Sequence, residues 1–168
     1  MVMKNTKSLL IIVAVLCFFL CVGNTISAAP TQIDLDKDWQ IGPLKAYEKF
    51  DQELANKTLG TITSVSNDRI IEKELIRTIT FEHGFIIVRG ETILSIGVDK
   101  PSLETPRGIG VNSKIDDVIK AYGFPRRTKN NPQTGETRYS YERESASITF
   151  FADGKGKVRR IIVAFPAC

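Results

Sequence analysis

Between Glu74 and Val98 the chain sets out three runs of β-branched and aromatic residues, separated by glycine-bearing breaks. Leu75, Ile79 and Phe81 fall on one face of the first run, with Ile76, Thr78 and Thr80 on the other. Glu82-His83-Gly84 interrupts, Phe85–Arg89 (FIIVR) follows, and Gly90-Glu91 interrupts again. Thr92–Val98 then resumes with Ile93, Leu94 and Ile96. Short period-two runs bounded by turn residues build strands. These three lie close enough together to predict an antiparallel meander.

Asp99–Arg107 carries Pro101 and Pro106 and reads as a connection. Thr105–Pro125 (TPRGIGVNSKIDDVIKAYGFP) then predicts a helix over Lys114–Tyr122, with Ile115, Val118, Ile119 and Tyr122 along one face. Ser113 and Asp116 have capping-box spacing, Gly123 suits a left-handed stop, and Pro125 prevents continuation. Arg126–Glu136, polar and holding Pro132 and Gly135, reads as a mobile loop. Strand patterning returns over Tyr139–Glu142 and Ala146–Phe151, and Asp153-Gly154-Lys155-Gly156 is a turn. Val158–Phe165 is the last strand; Val158 and Ile161 differ in phase, which predicts a bulge.

Upstream, Leu44, Tyr47, Phe50 and Leu54 recur at helical spacing and predict a helix over Pro43–Lys57, ended by Gly60. Thr61–Glu72 has no firm period. Both halves thus read as helix, connection and three strands, with TFEHGFIIVRGETILSIGV matched by YERESASITFFADGKGKVRRIIVA. The predicted fold is α+β: two helix-plus-three-stranded antiparallel meander units, with the helices on one face of the sheet. The organisation is a signal peptide over 1–28, a loose leader over 29–40, and α+β repeats over 41–100 and 101–168 that form one compact domain.

The signal peptide is read from order. Lys4 and Lys7 precede a charge-free run, Leu9–Val22, and small residues close it over Gly23–Ala29. Cleavage after Ala28 places Ile26 and Ala28 at the recognition positions. Leu16 and Leu20, not small residues, precede Cys17 and Cys21, which argues against lipidation; the membrane is reached only if the segment stays uncleaved. The chain is thereby expected to be secreted or to sit in the periplasm or cell envelope. The net charge of +4 halves when the two leader lysines leave, too little for a nucleic-acid-binding face. Cys168 alone remains of the three cysteines, so the mature chain holds no internal disulfide, and Cys168 is left to form a dimer.

The chemistry-bearing inventory is thin. His83 is the single histidine and sits beside a glycine in a turn. No G-x-S-x-G, H-E-x-x-H or Walker-type loop occurs, and Gly108-Ile109-Gly110 lacks the third glycine of a dinucleotide loop. No catalytic residue, metal site or cofactor is expected. Two basic clusters stand out: Arg126-Arg127-Lys129, and Lys155, Lys157, Arg159 and Arg160. Tyr139 and Tyr141 share a strand face; beneath a helix they are core, and exposed they are contact anchors.

One resemblance rests on named residues. Gly108-Ile109-x-Val111-x-Ser113, Asp117-Val118, Tyr122-Gly123-x-Pro125 and Asp153-Gly154-Lys155-Gly156-Lys157-Val158-x-x-Ile161 are similar to the signature of small exported domains of the β-lactamase-inhibitor-protein-like fold. The outer-membrane assembly lipoproteins of the SmpA/OmlA type share it. The match covers 105–165; the first half resembles it in element order alone, which fits a tandem form. The resemblance implies helices on one face of an antiparallel sheet, the other face free for protein contact, and no enzyme activity. The signature residues are turn, cap and core residues, so they carry fold and not function.

The expected function is a non-catalytic exported binding module that presents a sheet face and loops to a protein partner. Tyr139, Tyr141, Arg126, Arg127 and Arg160 are the candidate contact residues. The alternatives are an inhibitor of an extracellular hydrolase and a structural component of envelope assembly; a small cell-wall hydrolase ranks below both.

Overall fold

A computed structural model describes Asp34, residues 37–71 and residues 73–165. The leader over 1–28 and Cys168 lie outside the described residues. The chain opens with a small hairpin, β1 (Gln40–Ile41) and β2 (Leu44–Lys45), followed by helix α1 (Gln52–Leu59). Strands β3 (Ile62–Ile71), β4 (Glu74–Phe81), β5 (Gly84–Arg89) and β6 (Thr92–Val98) come next. Helix α2 (Ile115–Tyr122) leads into β7 (Arg127–Asn131), β8 (Glu136–Arg143), β9 (Ala146–Ala152) and β10 (Val158–Ala164).

These last eight strands form one antiparallel sheet in the order β3-β4-β5-β6-β10-β9-β8-β7. The expected α+β fold of two helix-plus-three-stranded units is corrected by this arrangement. The described chain is mostly β, with two eight-residue helices beside a single continuous eight-stranded sheet and a two-stranded hairpin. The seam between the halves is the β6–β10 pair, where Val98 faces Ile161 and Ile96 faces Val163.

Three local readings change for physical reasons. The helix predicted over Pro43–Lys57 instead starts at Gln52 and runs to Leu59. Gly42 takes φ +56° and turns the chain back, so Leu44 pairs with Ile41, and Asp51 caps the helix by accepting from the Leu54 N–H at 3.0 Å. In α2 the Ser113 capping box does not form; Ser113 Oγ accepts from the Gly110 N–H at 3.1 Å, and Lys114 occupies the cap without a side-chain hydrogen bond. Thr61–Glu72 and Arg126–Glu136, read as irregular, supply the edge strands β3 and β7. The predicted bulge is present in β10, where the register shifts between Val158 and Arg160.

One core holds the described residues together. Ile86, Ile96, Phe150, Ile161 and Val163 from the sheet meet Ala55 and Leu59 of α1 and Val118 and Tyr122 of α2. Burying each large side chain contributes about 1.5–3 kcal/mol relative to exposure. Tyr122, Tyr141 and Phe150 form a ring cluster with centroids 5.2–5.9 Å apart. Among the described residues no helix is long and apolar enough to cross a membrane.

Candidate functional site

Side chains alternate across a strand, so the register fixes what the other face of the sheet presents. Residues directly opposite one another in adjacent strands make continuous rows across the sheet. One row runs Arg127, Ser140, Thr149, Ile162, Gly97, Phe85, Thr80, Ser64 through all eight strands. The next carries Glu142, Ser147, Ala164, Ser95, Ile87, Thr78 and Ser66. Phe85, Ile87 and Ile162 stay half-buried there. Phe85 lies over Gly97, whose Cα has no room for a methyl group against the ring. The core cluster contains none of these outward residues.

At the β7–β10 end this face turns cationic. Lys129, Arg138, Phe151 and Arg160 stand opposite one another in four successive strands. The Arg138 and Arg160 guanidinium carbons lie 5.1 and 4.5 Å from the Phe151 ring centroid, an arrangement in which the ring quadrupole attracts each cation. Glu136 lies 3.8 and 3.5 Å from Arg138 and Arg160, and Glu142 lies 3.9 and 3.7 Å from Arg126 and Arg127. Those pairs are exposed and loose, so each contributes little stability.

The structure brings three of the five sequence-predicted residues together and places the other two, Tyr139 and Tyr141, on the inner face. Arg126, Arg127 and Arg160 join the cationic end, and Arg138, which alternation could have identified, belongs with them. Tyr141 does not: it is 3% exposed, and its hydroxyl donates to the Gly123 carbonyl at 3.0 Å. Burial pushes its phenol up to about 12. Tyr139 shares that inner face and packs half-buried against the core. Of the second basic cluster, Arg159 is held by Asp153 at 2.6 Å, with Lys155 and Lys157 donating backbone N–H groups to the same carboxylate. Those backbone bonds and Arg159 hold the Asp153 carboxyl below its usual range. His83 is exposed in the β4–β5 turn. Phe124, which no pattern singled out, is 84% exposed in the loop after α2.

A second concave feature lies elsewhere. A cleft of about 370 Å³ is bounded by Lys45, Ala46, Tyr47 and Glu48 on one side and by Arg143–Ala146 on the other, with Trp39 and Phe165 also in its wall. Phe165 meets both Trp39 and Tyr47 edge-on, with centroids 5.3 and 4.4 Å apart.

No family model matches the chain, and no curated protein matches it. Two solved structures are similar. One is an extracellular protein containing a SCP domain from Bacillus anthracis str. Ames, 9% identical, with a TM-score of 0.46; the likeness covers 70% of this chain and 43% of that one. The other is a DUF4309 family protein from Bacillus subtilis subsp. subtilis str. 168, 11% identical, with a TM-score of 0.38, covering 74% and 81%. The chain therefore spans less than half the length of the first of these proteins.

Proposed function

We propose that the chain is an exported, non-catalytic binding module that takes an acidic protein partner on the outward face of its sheet. The observation that carries this reading is the face itself: half-buried Phe85, Ile87 and Ile162 at its centre and Arg127, Lys129, Arg138 and Arg160 at one end. Four cations against the carboxylates of Glu136 and Glu142 leave that end positive. Such a field raises encounter rates with an acidic surface, while the apolar centre supplies area. Export is inferred from the order of basic, apolar and small residues over 1–28.

The test is capture from the extracellular and envelope fractions with the wild type and with an Arg138→Glu/Arg160→Glu double variant. A protein held by the wild type, released by salt and lost to the variant supports the reading. Equal capture by both chains contradicts it.

A further inference from the structure

The cleft between the β2 turn and the β8–β9 turn has features that the sheet-face reading does not use. Its volume of about 370 Å³ lies at the small end of ligand pockets. Its rim carries Lys45 and Arg143 against Glu48 and Glu144, two charges of each sign, with Lys45 and Glu48 paired at 3.5 Å. Tyr47 is 62% exposed at the mouth, with its ring seated on Phe165. Trp39 in the wall is 3% exposed, and its indole N–H has no hydrogen-bond partner among the described residues. Tyr47 and Glu144, on opposite sides, both hold left-handed φ angles of +69° and +52°. Non-glycine residues adopt that conformation at a cost, and such strain collects where a site is shaped.

We propose that this cleft binds a neutral sugar ring carrying an oxygen acceptor, such as an acetamido sugar. The walls argue for that class. An ion of either sign meets as many like charges as opposite ones. A purely apolar ligand would strip water from four charged groups and return nothing to them. A sugar offers a C–H face to the Tyr47 ring, hydroxyls that donate to Glu48 and Glu144, and oxygens that accept from Lys45 and Arg143.

Trp39 is the only tryptophan in the chain, so its emission and its indole N–H resonance report on this cleft alone. The full chain is titrated with N,N′-diacetylchitobiose. The expected result is a saturable emission change with a shift of the indole N–H resonance. Tyr47→Phe should bind within about twofold of wild type. Tyr47→Asn, which removes the ring with a residue that tolerates the left-handed φ, should bind at least about tenfold more weakly, a loss of about 1.4 kcal/mol. Glu48→Gln, an exposed rim change that leaves the backbone alone, should weaken binding several-fold and serves if Tyr47→Asn does not fold. An unresponsive Trp39 overturns the proposal. So does unchanged affinity in folded Tyr47→Asn or in Glu48→Gln, or a response to an aromatic tripeptide and not to the sugar.

Discussion

Arg107 is the residue that most tightly fastens the N-terminal segment to the rest of the molecule. Its guanidinium donates to both Asp38 carboxylate oxygens at 2.8 and 2.6 Å and to the Ala121 carbonyl at 2.8 Å, and it lies 4.6 Å from the Tyr122 ring centroid. The hydrogen bonds to Asp38 raise its pKa further still. Asp38 is 1% exposed, so the segment read as a loose leader ends in a buried carboxylate. Breaking a buried pair strands the remaining charge, and Arg107→Met should lower the unfolding free energy by about 3–5 kcal/mol in urea titrations. This pair was not legible in the primary structure, because its members are 69 positions apart and Asp38 is one of three aspartates within five residues. Tyr141 makes a pH prediction. Its raised folded value means that its contribution to stability is whole below pH 10.0 and is lost as pH climbs toward about 12. Denaturation midpoints should fall across that window, and fall less steeply in Tyr141→Phe.

At the scale of elements, what hydrophobic patterning revealed and what it hid divide by position in the sheet. The interior strands β4, β5, β6, β8, β9 and β10 were legible because each buries at least one face and so carries apolar residues at period two. The two strands of the large sheet that patterning missed, β3 and β7, are its two edges. Every residue of β7 from Arg127 to Asn130 is exposed, so nothing selects an alternation there, and Arg127 and Lys129 also discourage edge-to-edge pairing. The stop of α2 was read correctly at Gly123, with φ +79°, whereas its start was not, because Ser113 is spent on the Gly110 turn. That leaves a vacancy at Lys114, whose φ −78° and ψ 148° suit a capping residue. Lys114→Ser should add about 0.5–1 kcal/mol and raise the thermal midpoint by a few degrees, read by calorimetry. An unchanged or lowered midpoint would contradict this account of the cap.

At the scale of the whole molecule, the β6–β10 seam decides what kind of surface the chain has. Joining the halves edge to edge produces one broad outward face instead of two small ones, and it places the Phe85–Ile162 centre beside the cationic rows of β7–β10. No local period encodes which strands meet across 62 or more intervening residues, so the face could not be assembled from the sequence even where its strands were known. The cationic end was legible in part, as Arg126, Arg127 and Arg160, and alternation within β8 could have added Arg138, while the stacking on Phe151 required the register. The account stands or falls on where a bound partner lies. Carbene footprinting of the chain, free and in complex with its captured partner, measures this directly. Labelling should fall at Phe85, Ile87, Ile162 and Arg138 and stay constant along α1 and α2. Protection confined to the helix side of the sheet, with those four residues labelled as before, would contradict it.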